Sequence, residues 1–408
     1  MKREFDVIVW GATGFTGKLV VDYLARTYGT DGDLKWAIAG RNQAKLEAVR
    51  KDAVPESKRQ HLAIFTADSQ DDASLEALVK RARVICTTVG PYAKYGTPLV
   101  AACAANGTHY CDLTGEVQWM ARVIPQYQAT AEDSGARIVH TCGFDSIPSD
   151  MGVWFVQQAM LEQHGVAAAS VKGRVGKSRG GASGGTIHSM LNMLDEADRD
   201  PSVKEALADP YSLYPAGVTK GKDGPDQTGP EYDPDFEEWT CPFVMAAINA
   251  RVVRRSNALM NFPWGEDFAY DEAQLSGSKG KATRISVALG VGMGVMAFNP
   301  TRKLAKRFLP EPGEGPNEAL RESGFFEIYF HANHPSDPSK DIRAKVTGDR
   351  DPGYGSTSKM LAESAVCLAK DDLSGGGGFW TPASAMGDKL LTRLTEKAGL
   401  TFELVPTE

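Results

Sequence analysis

Residues 1–148 alternate short apolar runs with segments whose apolar positions recur at helical spacing. Phe5–Trp10 (FDVIVW) reads as a buried strand, and Phe15–Tyr28 as a helix with Leu19, Val20, Tyr23 and Leu24 on one face. Trp36–Ala39 is a second strand, followed by a helix from Gln43. Leu62–Thr66 and Val84–Val89 make the third and fourth strands, with a helix over Ala73–Lys80 between them. A helix over Thr97–Asn106 stops at Gly107, a residue suited to the left-handed position after a helix. Strands at His109–Asp112 and Arg137–Thr141 flank a long helix from Val117 to Asp133. Each unit has the length of a βαβ crossover, which predicts a parallel, doubly wound sheet with right-handed connections.

Beyond Pro148 the pattern changes. A helix over Met151–Glu162 leads to a strand at Ser170–Val175 and then to a glycine-rich stretch, GKSRGGASGG, read as a loop. Helical spacing resumes over Thr186–Ala197, and Pro201–Trp239 is dense in Pro, Gly and Asp, the texture of a long surface excursion. Further strands are expected at Asn249–Arg254, Ala282–Leu289, Phe325–Ala332 and Ile342–Thr347. Ser356–Ala369 and Ala385–Ala398 read as helices, with Phe379–Thr381 extended between them. The pattern predicts two domains: residues 1–148, and a second, α+β domain over residues 149–349. The helices of 350–408 are expected to pack back on the first. A length of 408 residues fits two cores better than one.

Composition narrows the class. The apolar fraction of 42% and charged fraction of 24% are those of a globular protein, and a net charge of −7 gives no reason to expect nucleic acid. Cys86, Cys103, Cys111, Cys142, Cys241 and Cys367 are scattered, without a CxxC pair, as in a cytoplasmic protein with reduced thiols. The start, MKREFDVIVWGATG, lacks the apolar core of a signal peptide. No apolar run reaches the roughly 18 residues of a membrane span.

The chemistry enters at Gly11-Ala12-Thr13-Gly14-Phe15-Thr16-Gly17, which follows a strand and opens a helix. In that setting Gly11 allows the tight turn, Gly14 lets the backbone approach a pyrophosphate, and Gly17 lets helix and strand pack closely. The helix start offers free N–H groups and a partial positive charge to phosphates. The second strand ends Ala39-Gly40-Arg41-Asn42, with no carboxylate to hold a ribose 2′-hydroxyl. Arg41 can instead pair bidentately with a 2′-phosphate, so the expected cofactor is NADP rather than NAD. Asp68, past the third strand, reads either as an adenine-side contact or as a helix cap. Gly90-Pro91-Tyr92 ends the fourth strand, where ligands of open parallel sheets lie.

Three residues are candidates for supplying a proton. Tyr92 stands on that loop, or is a packed aromatic; Asp112, with Thr114 and Glu116, follows the fifth strand, or caps the next helix. Asp145, with Ser146 and Asp150, follows the sixth, near the expected domain junction. Carboxylates in a closed crevice have raised pKa values and can protonate a substrate carbon. Gly176-Lys177-Ser178-Arg179-Gly180 formally matches the hydrolase nucleophile elbow but runs into further glycines, so no hydrolase site is read there. His331 and His334 lack a third partner for a metal, and no metal site is expected.

With GATGFTG, AGRN, VGPYAKYG, HYCDLTGE, CGFDSIPSD, SGGT (Ser183–Thr186), PGEGP (Pro312–Pro316), GDRDPGYG (Gly348–Gly355) and TPASAMGD (Thr381–Asp388), the sequence resembles the saccharopine dehydrogenase-like oxidoreductases. The likeness runs nearly the full length and is strongest to the branch of the mycobacterial trans-acting enoyl reductases. It implies an α/β fold with an N-terminal NADP-binding Rossmann domain, and a second domain carrying substrate and homodimer contacts. The expected activity is NADPH-dependent reduction of a C=C bond in an enoyl thioester or lipid-linked acyl substrate. The alternatives are a saccharopine-type reaction at a C–N bond and a non-catalytic NADP- and lipid-binding protein. No set of basic residues for amino-acid carboxylates is apparent. The apolar Ile285–Phe298 (ISVALGVGMGVMAF), followed by Arg302, Lys303, Lys306 and Arg307, suits acyl chains better. It reads as a core strand, the lining of an acyl pocket, or a peripheral contact with a membrane surface.

Overall fold

A computed structural model describes residues 3–181, 184–305 and 315–406, with the side chains of 182–186 and 303–314 outside the description. The PGEGP motif falls partly, and SGGT, Lys303, Lys306 and Arg307 wholly, outside the described side chains. The first half of the chain runs β1 (Phe5–Trp10), α1 (Phe15–Tyr28), β2 (Trp36–Gly40), α2 (Gln43–Ala53), β3 (Ala63–Thr66), α3 (Asp72–Val79) and β4 (Ala82–Thr87). It continues through α4 (Tyr92–Asn106), β5 (His109–Cys111), α5 (Val117–Ser134), β6 (Arg137–Val139) and α6 (Ile147–His164). Then come β7 (Ser170–Arg179), α7 (Gly184–Ala197), α8 (Pro201–Ala208), β8 (Glu231–Asp233), β9 (Glu238–Cys241), α9 (Ala246–Leu259) and β10 (Ala269–Leu275). The remainder is α10 (Lys279–Ala297), α11 (Asn299–Ala305), α12 (Glu318–Glu322), β11 (Phe325–Asn333), β12 (Ile342–Gly348), α13 (Thr357–Lys370), β13 (Gly378–Trp380), α14 (Pro382–Glu396) and β14 (Leu400–Val405).

The strands form two sheets. The first, β13-β6-β5-β4-β1-β2-β3, is parallel throughout. Its central strand is buried on both faces: Val7 and Val9 join one apolar cluster with α1 and α13, while Ile8 and Trp10 join another with α4 and α5. That two-sided burial is why FDVIVW reads as a continuous apolar run. The second sheet, β14-β12-β11-β7-β10-β9-β8, is mixed, with β7 and β10 its parallel pair. This is a doubly wound α/β sheet with a second, mixed sheet beside it.

Several local expectations are corrected. Asn249–Arg254 is not a strand but the middle of α9, buried along its length. Helical spacing sends Arg251 to the carbonyls of Asp209 and Leu207, Arg254 to those of Pro210 and Tyr270, and Arg255 to those of Leu213 and Phe379. Ala282–Leu289 belongs to α10, which joins neither sheet; a helix satisfies its own amides where a lone exposed strand would not. The GKSR stretch, expected to be part of a loop, instead continues β7 to Arg179, paired with Phe325 and Phe326. Strands β8, β9, β10 and β14 had no counterpart in the apolar pattern. In β10 the buried Glu272, bonded to Asn249 and Tyr270, masks the alternation.

The last sixty or so residues serve both sheets. Helix α13 covers β1, β4 and β5, β13 extends the first sheet beyond β6, and β14 extends the second beyond β12. Buried Glu363 on α13 accepts hydrogen bonds from Tyr23 (2.7 Å) and Tyr28 (2.8 Å) on α1 and an ion pair from Arg393 on α14. Buried Asp150 on α6 accepts from Ser256 on α9 and, at 2.8 Å, from the Ala383 amide at the start of α14. Burial pushes the Asp150 carboxyl up to about 7, against the opposing pull of those two donors. The folded chain thus holds a proton that the unfolded chain releases near pH 4. Between those values, stability falls as pH rises, by roughly 4 kcal/mol at most. Asp150→Asn is therefore expected to flatten the decline of the urea midpoint measured from about pH 5 to about pH 8.

Candidate functional site

At the carboxyl end of β1 the chain turns through Gly11, whose φ of +85° favours glycine. The Gly11 and Ala12 amides both bond to the Ala39 carbonyl of β2, at 3.0 and 3.3 Å, seating the turn on the neighbouring strand. A β-carbon on Gly17 would stand 2.2 Å from the Gly11 carbonyl oxygen, so helix α1 approaches the strand as closely as only glycine allows. Gly14 is the cap residue of α1; no side chain caps the helix and its first turn holds no acid. The amides opening α1 are thereby left to face an anion.

Other predicted cofactor residues ring this turn. Arg41 follows β2 directly, exposed and with no ion-pair or hydrogen-bond partner among the described residues. Asn42 is committed to the protein: its side chain accepts from the Lys45 amide and caps α2. Asp68 is exposed and accepts from the Gln70 amide, while the cap of α3 is Asp71, so the helix-cap alternative for Asp68 falls. Gly90 and Pro91 lead into α4. The Thr13 and Thr16 side chains are partly exposed on the turn. The Phe15 ring packs edge-on to Tyr354 at 5.1 Å with the Arg321 guanidinium above it, so its side chain joins the turn to the loop before α13. These exposed cradle groups fit a doubly phosphorylated nucleotide: open helix amides for a pyrophosphate and an unpaired guanidinium for a further phosphate.

The three candidate proton donors do not assemble. Tyr92 is the first residue of α4, and its ring stacks on Trp119 beneath the helix while its hydroxyl donates to the Thr87 carbonyl at 3.2 Å. Burial raises that phenol well above its ordinary range. Asp112 has no exposed surface; its carboxylate accepts from the Tyr110 hydroxyl (2.8 Å) and the Thr114 and Thr141 amides (each 3.1 Å), and His140 Nδ1 lies 2.7 Å away. With every lone pair engaged, Asp112 braces the loops after β5 and β6. Glu116 is likewise a brace, accepting from the Tyr92 and Ala93 amides at 2.8 and 2.9 Å to cap α4. From the expected rim, Tyr92 and Asp112 thus face inward, and both are buried.

Asp145 differs. It is partly exposed, and no group among the described residues bonds its carboxylate. Burial by its neighbours pushes the carboxyl up to about 7. Its loop is pinned from two sides: the Cys142 amide bonds to the Asp112 carbonyl at 2.7 Å, and the Phe144 amide to Thr357 Oγ1 at 2.9 Å. A β-carbon at Gly115 would meet Asp145 Oδ2 at 3.5 Å and Met245 Cε at 3.7 Å, which places these three together. Two neighbours had no sequence signal of a site: Met245, just before α9, and Ser189 on α7, which bonds to Glu116 and approaches Gly90. Both come from segments remote in sequence, and only the folded sheet edge brings them near.

Among the described residues no group of three or more His, Cys, Asp or Glu is arranged to hold a metal, and His331 pairs with Asp341 at 3.0 Å. All six cysteines are free and buried. No described helix is long and apolar enough to cross a membrane.

Comparison with known proteins agrees with this geometry. Residues 7–139 match the saccharopine dehydrogenase NADP-binding domain. A candidate trans-acting enoyl reductase of Mycobacterium tuberculosis is 43% identical over 96% of both chains. The trans-acting enoyl reductase of Mycobacterium ulcerans is 37% identical over 97% of this chain and 96% of its own. In fold, the chain is similar to apo saccharopine dehydrogenase (L-Glu forming) from Saccharomyces cerevisiae, with a TM-score of 0.55, 13% identity, and coverage of 98% of this chain and 100% of that one. The chain belongs to the saccharopine dehydrogenase-like family of NADP-dependent oxidoreductases, in the group of the mycobacterial trans-acting enoyl reductases.

Proposed function

We propose that this oxidoreductase reduces the C=C bond of an α,β-unsaturated acyl thioester or lipid-linked acyl group, with Asp145 as the proton donor. The observation that carries the reading is an unbonded carboxyl raised to about 7, on a pinned loop at the carboxyl edge of the cofactor-binding sheet. The relatives' names as trans-acting enoyl reductases support the substrate class. Bound NADPH supplies a hydride for the β-carbon of the substrate. The protein's part is then to hold the cofactor, to deliver a proton to the α-carbon, and to keep water away. The start of α1 holds the pyrophosphate and Arg41 the 2′-phosphate. Asp145 gives up its proton as the α-carbon gains electron density and recovers it from solvent. Met245, beside the carboxyl, excludes water and favours an apolar acyl chain over a charged amino acid. Buried and half-buried cations on and beside the second sheet are spent on neighbours: on β7, Lys172 and Arg174 pair with Asp233, Asp235 and Asp271, and on α9 Arg251 pairs with Asp226.

Two outcomes test the reading. Arg41→Ala should weaken NADPH binding by about 10- to 100-fold while changing NADH affinity little, as titration calorimetry would show. An equal loss for both nucleotides removes Arg41 from the phosphate site. Because Asp145 must be protonated to act, kcat with an enoyl thioester should be level below about pH 7 and fall tenfold per unit above it. Asp145→Asn should lower kcat by roughly 10²- to 10⁴-fold without moving the affinity for NADPH. Oxidation of NADPH by 2-oxo acids with amines, and not by enoyl thioesters, contradicts the proposal.

A further inference from the structure

Helix α10 is apolar and almost uncovered. Val287 (58% exposed), Val291 (62%), Val295 (43%) and Phe298 (62%) fall four, four and three residues apart and so share one face. Met293, on another side, is 46% exposed. Only Ala282 is buried in the whole helix, which packs through its first turn on β9 and β8 and through its far end on α7 and α11. A β-carbon on Gly290, Gly292 or Gly294 would meet nothing within 4 Å. A contiguous apolar surface of this kind on a folded protein marks a binding face.

The charge around it is equally one-sided. From Ser276 to Pro310 the sequence contains no Asp or Glu, in a chain whose net charge is −7. The helix opens with Lys279, Lys281 and Arg284, all exposed, and its first turn holds no acid. Cations at the positive end of a helix are unfavourable unless an anion lies against them. Beside that end, Tyr232 (53% exposed) meets Trp239 edge-on at 5.8 Å, and Lys279 Nζ lies 5.1 Å above the Trp239 ring. An apolar helix flanked by cations and amphipathic aromatic rings has the make-up of a segment at a bilayer interface. A second copy of the chain fits less well. Two-fold pairing along α10 sets cations against cations, with no acid in the segment to receive them.

We infer that α10 is a peripheral membrane-binding helix: its valines and Phe298 enter the acyl region of an anionic lipid surface while Lys279, Lys281 and Arg284 hold headgroup phosphates. This assignment is independent of the substrate and of the role of Asp145. Flotation of the full chain tests it, with vesicles of phosphatidylcholine alone or mixed with phosphatidylglycerol. The chain should float with the mixed vesicles and much less with phosphatidylcholine alone. Lys279→Gln, Lys281→Gln and Arg284→Gln together should lower the partition coefficient roughly a hundredfold. Val287→Asp with Val291→Asp should abolish flotation, while NADPH binding at wild-type affinity shows that the variant is folded. Three results overturn the inference: wild-type chain that stays behind with the mixed vesicles, a valine variant that floats as well as wild type, or a lipid-free dimer that the valine variant splits into monomers.

Discussion

The closeness of α1 to β1 is the constraint from which the rest of the site follows. Because Gly17 carries no side chain, the helix start lies against the Gly11 carbonyl, and no side chain caps its amides. The same turn is anchored to the Ala39 carbonyl, so Arg41, two residues further on, stands beside those amides. A helix terminus without an acidic first turn and an exposed guanidinium without a protein partner are both free to meet an anion. Together they fit the phosphates of the proposed site, and the parallel strand order gives the cradle its neighbours from the loops after β4, β5 and β6.

Buried acids hold the loops around one unbonded carboxyl, that of Asp145. Asp112 and Glu116, both buried, use every acceptor they have on backbone amides and neighbouring side chains, which fixes the loops after β4, β5 and β6. Thr357, from the far end of the chain, completes the pinning by bonding the Phe144 amide. Asp145 is the member of this group without a bond, and burial alone sets its proton affinity. Rigid surroundings and a single unsatisfied acid are the arrangement expected of a proton donor. The links through Glu363 and Asp150 tie α13 and α14 to the helices on which these loops rest.

The first sheet was legible in the sequence because its inner strands, β1 and β2 above all, are buried on both faces and appear as nearly unbroken apolar runs between turn residues. The cradle was legible because Gly11, Gly14 and Gly17 fall within one turn and Arg41 directly follows the next strand, positions that the parallel strand order makes predictable. The second sheet was harder. Its strands carry buried charges, as at Glu272 and Arg174, that break the alternation, and helix α9 carries arginines whose partners are backbone carbonyls far along the chain. The apolar run at Ile285–Phe298 was conspicuous, but composition could not show that its helix stays largely exposed among the described residues. Within the site, residue type identified the acids Asp112, Glu116 and Asp145. Which of them was already engaged depended on Tyr110, His140, Tyr92 and Ala93, contacts set by the folded loops.

The account stands on delivery of hydride and proton to opposite ends of one carbon–carbon double bond. Incubation with NADPH deuterated at the transferable position, an enoyl thioester and ordinary water, followed by mass spectrometry and NMR of the product, tests this most directly. One deuterium at the β-carbon and a solvent-derived hydrogen at the α-carbon is the predicted result. A saturated product without cofactor-derived label, or label found only on the carbon of a newly formed C–N bond, would contradict it.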